Sequence, residues 1–239
     1  MTSGARVEIR LAALQHNFKL LKATVPDSKV MVAVKANAYG HGLLPVCRAL
    51  PQADAVAVAR LSEAVTLREA GIDQEIVILG GIANREELAI AHAQRCTLVV
   101  HSEYQVALLE AAKNLPDRVW LKIDTGMNRL GIRPEDTAEL ASRLRACTGN
   151  LGLMTHFANA DDVDDPTSSD QLQRFIDAAD GYNGDVSVAN SATLLGWQSQ
   201  INAPGLLNNA GEHWIRPGIS LYGVSPLAGK SAAELGLKP

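Results

Sequence analysis

The sequence has few cysteines and aromatic residues, no surplus of basic charge and no long apolar run. Its 239 residues include only three cysteines, Cys47, Cys96 and Cys147, and these form no Cys-x-x-Cys pair. A small, odd number of widely spaced cysteines excludes a disulfide framework or a zinc knuckle and is typical of a protein from a reducing compartment. The six histidines follow no spacing such as His-Glu-x-x-His, so we predict no metal site.

Charge and hydropathy exclude two classes of partner. The net charge of -4 provides no basic field that would attract nucleic acid or an anionic membrane surface. The longest apolar run, near Val30 to Val34, is far shorter than the roughly 18 residues that cross a bilayer. Met1–Arg6 lack the apolar core of a secretory signal. We therefore expect a cytoplasmic protein that binds neither nucleic acid nor membrane.

Eight short apolar segments recur along the chain, with helical patterns between them. They are Val30–Val34, Ala55–Val58, Ile76–Leu79, Thr97–Val100, Val119–Ile123, Leu151–Thr155, Val186–Ala189 and Ile219–Tyr222. None alternates polar and apolar residues, a pattern typical of strands buried on both faces of a parallel sheet. Eight strand–helix units in a chain of this length predict an α/β fold, the (β/α)8 TIM barrel. A doubly wound open sheet is the main alternative, but the Gly-x-Gly-x-x-Gly of its nucleotide-binding form does not follow the first strand.

Capping residues and apolar spacing mark the helices. We expect one over about Leu11 to Ala23 and another that opens at Leu61. A capping residue followed three positions later by Glu or Gln predicts three more starts: Asn84 with Glu87, Ser102 with Gln105, and Ser168 with Gln171. The acidic stretch 161–165 lacks the glycine and terminal Glu of a calcium loop, so we interpret it as a solvated loop.

The carboxyl ends of the strands carry the chemistry of a barrel of this kind. Polar residues at or shortly after these predicted ends are Lys35, Lys122, Asp124, Arg129, His156, Asn190 and Ser191, and Arg216 lies just before the eighth predicted strand. A lone lysine is usually a solvated surface charge. Partial burial at this face, however, would lower the pKa of Lys35 and make its amine nucleophilic. Ser191 opens a helical stretch, either as a plain cap or as part of an anion site.

Five blocks of the sequence resemble the alanine racemase family, in the family's order, and the match spans about Val7 to Pro239. The longest block resembles the family's pyridoxal-phosphate attachment signature. The blocks are Ala33–Gly42, Asp124–Gly131, Thr155–Ala158, Ala189–Ala192 and Arg216–Gly223. The resemblance implies a barrel that holds pyridoxal 5'-phosphate through Lys35 and interconverts L- and D-alanine, supplying D-alanine for peptidoglycan.

The resemblance also implies a role for each matching residue. Contacts to the cofactor phosphate would come from Tyr39, Ser191, Gly218 and Ile219. Arg216 would face the pyridine nitrogen, with His156 as its hydrogen-bonding partner. Arg129 would hold the substrate carboxylate and the cofactor's phenolic oxygen, and Lys122 matches a lysine that is carbamylated in many members and orients that arginine. An arginine at the ring nitrogen favours racemisation, because it stays protonated and leaves that nitrogen unprotonated.

The family is longer than this sequence. Its second, mostly β domain contributes a tyrosine base across a head-to-tail homodimer, and no block here matches that domain. We therefore expect residues 1–239 to form the barrel alone, with little or no racemase activity and with Val7–Ile9 as a strand left without its partner. Two alternatives stay open: a single-barrel pyridoxal-phosphate protein of cofactor homeostasis, and a racemase of broader amino-acid specificity.

Overall fold

The structure, a computed structural model, describes residues 7–201 and 211–239. Residues 1–6, from which we predict that there is no secretory signal, lie outside the described residues. Eight strands form one sheet in the order β7-β6-β5-β4-β3-β2-β1-β8. The strands are β1 (Lys29–Ala33), β2 (Ala55–Val58), β3 (Glu75–Ile78), β4 (Cys96–Val100), β5 (Arg118–Lys122), β6 (Asn150–Met154), β7 (Asp185–Ser187) and β8 (Trp214–Ile215).

Helices connect the strands over the outside of the sheet. They are α1 (Leu11–Thr24), α2 (Lys35–Tyr39), α3 (Leu43–Ala49), α4 (Leu61–Glu69), α5 (Arg85–Ala93), α6 (Glu103–Glu110), α7 (Thr137–Cys147), α8 (Thr167–Ala178), α9 (Ser191–Gly196) and α10 (Gln198–Ile201). Short 3-10 helices cover Pro134–Asp136 and Ile219–Tyr222. Within the described ranges, no helix combines the length and hydropathy needed to span a bilayer.

The sheet closes on itself. Neighbouring strands pair in parallel, with Val32 opposite Val56 and Lys29 opposite Trp214. Bridges between Val186 and His213 and between Asn190 and Arg216 join the two ends of the sheet. The predicted (β/α)8 barrel is therefore confirmed.

Seven of the eight predicted strands coincide with observed strands to within two residues at either end. The eighth prediction, Ile219–Tyr222, is wrong: that segment is a 3-10 helix, and β8 is Trp214–Ile215. The chain turns at Gly218 (φ -124°, ψ -98°) directly after Pro217, which has no N–H to extend a strand ladder. Because an apolar run fits a buried helical turn as well as a buried strand, periodicity could not separate the two.

Two of the three capping predictions are confirmed and one is wrong. Asn84 and Ser102 cap α5 and α6 and accept the N–H groups of Glu87 and Gln105 at 2.9 and 3.4 Å. Ser168 is not a cap: it lies inside α8 with a buried hydroxyl, while an Asp165 oxygen accepts the Thr167 N–H at 2.8 Å. Val7–Ile9 forms no strand in this structure and Val7 is 81% exposed, as expected for a strand without its partner.

The barrel interior is filled with side chains. Its inward-facing residues are Met31, Ala55, Ala57, Val77, Val99, Trp120, Met154 and Trp214. At the amino ends of the strands, Arg118 pairs with Asp185, and Trp214 Nε1 donates to the same carboxylate at 3.1 Å. A second, larger core lies between the strands and the surrounding helices. The space for a ligand is therefore at the carboxyl ends of the strands.

Candidate active site

A cavity of about 760 Å³ opens at the carboxyl ends of the strands, with Ala57, Val99 and Met154 from the barrel interior among its lining residues. The cavity brings together all nine residues that the sequence predicted for the site. They are Lys35, Tyr39, Lys122, Arg129, His156, Ser191, Arg216, Gly218 and Ile219. Residues from five separate sequence blocks therefore share one cavity.

Lys35 is held between two neighbouring strands and a left-handed turn. Ala33 N–H donates to Pro217 O and Val34 N–H to Ala57 O, both at 2.9 Å, which fixes the end of β1. The four residues that follow Lys35, Ala36–Tyr39, all have φ between 52° and 54°, so the segment α2 is a left-handed turn and not a regular α-helix. A left-handed helical conformation costs roughly 1–2 kcal/mol per residue. Backbone strain of this kind is concentrated at functional sites, where the surrounding structure must maintain it.

The environment of Lys35 favours its neutral amine. Burial lowers the pKa of Lys35, the positive charge of Arg129 lowers it further, and the carboxylate of Glu63 opposes the change. The amine lies 6.0 Å from the centre of the Tyr39 ring. The lowered pKa makes the neutral amine, which is the form that attacks a carbonyl group, more populated than in an exposed lysine.

Arg216 is buried at the centre of the cavity floor, with 7% of its surface exposed. Its guanidinium donates to Thr155 O and Ser187 Oγ, and its backbone N–H donates to Ala189 O at 2.9 Å. Burial lowers its pKa to about 10, so the group still carries its charge at neutral pH. The carboxyl ends of β6 and β7 therefore fix the position of this group.

His156 lies against Arg216, whose Nη2 is 3.4 Å from the histidine Nδ1. Burial, followed by the charges of Arg216 and Lys122, holds the pKa of His156 well below its ordinary value. The ring is therefore neutral, and Nδ1 can accept a hydrogen bond from the guanidinium.

Lys122 is buried at the end of β5 and is 9% exposed. Burial lowers its pKa to about 8, and the positive charges of Arg216 and Arg129 add to the effect. Asp124, two residues further on, accepts the N–H groups of Gly126 and Asn128 at 3.0 Å each and so shapes the loop that carries Arg129 to the cavity. Four basic side chains, those of Lys35, Lys122, Arg129 and Arg216, therefore line one cavity, which suits an anionic ligand.

The opposite wall combines a serine hydroxyl with backbone N–H groups. Ser191 Oγ accepts the Gly218 N–H at 2.8 Å and the Ser220 N–H at 3.4 Å. Asn190 caps α9 by accepting the N–H groups of Ala192 and Thr193 at 3.0 and 3.1 Å. Ser191 is therefore not the cap of this helix, and its hydroxyl lines the cavity. An added Cβ at Gly218 would lie 2.8 Å from the Tyr39 hydroxyl, so a side chain at this position would displace the Tyr39 ring.

Known proteins match the chain over almost its whole length. A family model described as "Alanine racemase, N-terminal domain" matches residues 9–226.

The chain belongs to the alanine racemase family.

An alanine racemase of Aliivibrio salmonicida is 41% identical over 99% of this chain, and one of Vibrio parahaemolyticus is 43% identical over the same share. The chain spans 64% of the length of each of these relatives. The crystal structure of the biosynthetic alanine racemase of Pseudomonas aeruginosa matches with a TM-score of 0.87 and 40% identity, over 96% of this chain and 62% of that one. The alanine racemase of Acinetobacter baumannii matches with a TM-score of 0.86 and 34% identity.

Several residues around this racemase-family cavity had no signal as site residues in the sequence. Ser187 and Thr155 hold Arg216, as described above. Gln171 of α8 is fully buried; it accepts the Ala158 N–H at 2.9 Å and donates to His156 O at 3.2 Å. Glu63 reaches the turn after Lys35. An ordinary polar residue at a helix start gives no sign in sequence that it contacts a site on another element.

Proposed function

We propose that this chain is the pyridoxal-phosphate-binding barrel of an alanine racemase. The observation that carries the proposal is the position of Lys35: a partly buried amine with a lowered pKa faces a cavity with a buried arginine and a serine–amide wall. Membership of the family supports alanine as the substrate, and the names of the relatives support racemisation as the reaction.

The cavity fits the cofactor in its volume, its charge and the absence of a side chain at Gly218. Phosphate contacts are proposed for Tyr39, Ser191, Gly218 and Ile219, which lie together on one wall. When bound, pyridoxal 5'-phosphate would supply a carbonyl group for an amine and an electron-accepting ring that acidifies the α-hydrogen of an amino acid.

Lys35 has two proposed tasks. Its amine holds the cofactor in the resting protein and, once released, accepts or returns a proton at the α-carbon on one face of the substrate. Both tasks require a neutral amine near physiological pH, and burial together with Arg129 favours that form.

Arg216 and His156 form the proposed partner of the cofactor ring. Because Arg216 remains protonated, its guanidinium would donate a hydrogen bond to the lone pair of the ring nitrogen without giving up its proton, which would leave that nitrogen unprotonated. The neutral His156 accepts from the guanidinium and helps to orient it. An unprotonated ring would withdraw electron density less strongly, which favours return of the proton to the α-carbon over side reactions.

Arg129 and Lys122 are proposed to position the substrate. Arg129 lies at the cavity and can hold a carboxylate, and a carbamylated Lys122 would carry a negative charge that orients this arginine. The base for the opposite face is proposed to come from a part of the longer relatives that this chain does not span, and to reach the cavity across a homodimer. The complete enzyme is proposed to act in the cytoplasm and to supply D-alanine for the cell wall.

Covalent attachment at Lys35 tests the proposal directly. We expect pyridoxal 5'-phosphate to give a visible absorption band with this chain, and borohydride to fix the cofactor to the Lys35 peptide. Lys35→Ala should abolish both signals, whereas Lys113→Ala, which changes an exposed lysine outside the cavity, should preserve them. A visible band that persists in Lys35→Ala would disprove the assignment.

A further inference from the structure

The turn that follows Lys35 is strained and only partly buried, so neighbouring groups must hold it in place. Four consecutive non-glycine residues with positive φ do not persist without support. Ala38 is fully buried in the core, but Ala36 and Asn37 are exposed, so burial does not hold the first half of the turn. Part of the support is within the segment itself, where Asn37 Oδ1 accepts the Leu43 N–H at 2.8 Å.

The other support comes from α4, which follows the neighbouring strand. Glu63 is the third residue of α4, and its Oε1 accepts the Asn37 N–H at 3.3 Å. Its Oε2 accepts the N–H groups of Ala59 and Arg60 at 2.9 and 3.3 Å. One carboxylate therefore ties the turn after β1 to the loop after β2.

The charge of Glu63 also acts on the Lys35 amine. The charged or titratable groups around this amine are Arg129, Lys122, His156, Tyr39 and Glu63. Arg129 lowers the pKa of Lys35, whereas Glu63 raises it and, among the residues that the structure describes, is the only acidic group that acts on this pKa. The contact and the charge are separate effects of the same side chain.

We propose that Glu63 is a positioning residue for Lys35: its carboxylate fastens the left-handed turn that begins beside Lys35 and thereby fixes where the lysine amine enters the cavity. The inference rests on the proposed attachment of pyridoxal 5'-phosphate to Lys35. Glu63 does not line the cavity and acts through the backbone of the turn.

The chain offers a matched control in α5. Glu87 is likewise the third residue of its helix, and its carboxylate accepts a loop N–H, that of Ala83, at 2.7 Å. Glu87 lies outside the cavity that contains Lys35. Glu87→Gln therefore loses the same kind of helix-start hydrogen bond as Glu63→Gln, without touching the turn.

The experiment compares Glu63→Gln, Glu63→Asp and Glu87→Gln with the unchanged chain. Glu63→Gln removes the charge, whereas Glu63→Asp keeps it on a side chain one methylene shorter. Hydrogen exchange of the peptide around residues 36–43 reports the turn. Limited acetylation of Lys35 by acetic anhydride at several pH values, with exposed Lys113 as internal reference, reports the amine without cofactor. Affinity for pyridoxal 5'-phosphate is the third measurement.

We expect both Glu63 variants to exchange about 10-fold faster at the turn and to bind pyridoxal 5'-phosphate about 10-fold more weakly, as the loss of a hydrogen bond to a charged group predicts. Only Glu63→Gln should bring the apparent pKa of Lys35 below its value in the unchanged chain, because only this variant removes the negative charge. Glu87→Gln should match the unchanged chain in all three measurements.

Equal effects of Glu63→Gln and Glu87→Gln, or unchanged exchange and acetylation in both Glu63 variants, would overturn the inference. If the unchanged chain does not attach pyridoxal 5'-phosphate, the proposed function fails, and exchange and acetylation still decide the link between Glu63 and Lys35.

Discussion

At the scale of single residues, the site depends on burying positive charge without an equal number of acids. Burial lowers the pKa of Lys35 and of Lys122; the charge of Arg129 lowers both further, and the charge of Arg216 also lowers that of Lys122. Arg216 tolerates the same burial because Thr155 and Ser187 satisfy its guanidinium. The result is two reactive amines beside a fixed cation.

We predict that Lys122 takes up carbon dioxide to form a carbamate. With a pKa of about 8, about half of its amines are neutral at pH 8, against well under 1% of ordinary lysines. The carbamate places a negative charge among Arg216, Arg129 and Lys35, which stabilises it. The neutral fraction rises as the pH increases through 8, so carbamate formation should weaken steeply towards pH 6.

Carbon-13 NMR with labelled bicarbonate checks this prediction. A carbamate resonance should appear in the unchanged chain and in Lys113→Gln but vanish in Lys122→Gln. The same resonance at full strength in Lys122→Gln would show that another amine is the acceptor.

At the scale of elements, the strands place their residues through the packing of the barrel interior. Trp120 of β5 pairs in register with Gly152 of β6, and the indole ring lies over the glycine. Trp214 meets Trp120 edge to face, with ring centres 5.8 Å apart. Large side chains on β5 and β8 therefore require a position without a side chain on β6.

We predict that Gly152→Ala destabilises the barrel. The added Cβ would lie 2.4 Å from the Trp120 ring, which must then shift within a filled interior. Overpacking of this kind costs about 3 kcal/mol, or a decrease in Tm of roughly 10 °C for a chain of this size. Thermal unfolding followed by circular dichroism measures the effect. Gly149→Ala is the control, because nothing lies within 4 Å of its added Cβ; equal Tm values for the two variants would contradict the packing argument.

At the scale of the whole molecule, the proposed function uses Lys35 on one face of the α-carbon. It takes the base for the other face from a part of the longer relatives that this chain does not span. An acid–base group in place contributes about 10²–10⁴-fold in rate. The wide cavity also admits water, which weakens the electrostatic interactions within it.

We predict that these 239 residues, saturated with pyridoxal 5'-phosphate, racemise alanine negligibly. Exchange of the α-hydrogen with solvent should persist weakly through Lys35, mostly with retention of configuration. Incubation in D₂O, followed by mass spectrometry and a chiral assay, separates exchange from inversion. Interconversion at an ordinary enzymatic rate, about 1–10³ per second, would place the second base within this chain.

The sequence predicted the barrel, and the resemblance of its blocks to the alanine racemase family predicted the residues that line the cavity. Seven of the eight apolar segments form strands, and two of these segments bring Lys35 and Lys122 to the carboxyl ends of their strands. Local capping also held at Asn84 and Ser102, because the hydrogen bonds involved lie within four residues of the chain.

Tertiary structure decided the rest, because those features depend on contacts between distant segments. The 3-10 helix at Ile219–Tyr222 depends on packing against β1, where the Tyr222 hydroxyl donates to Ala33 O at 2.9 Å. The left-handed turn after Lys35 is supported by Glu63, 26 positions from Asn37. The lowered pKa values arise only when residues from separate strands are buried together. Sequence patterns report local periodicity, whereas strain, desolvation and charge repulsion exist only in the folded chain.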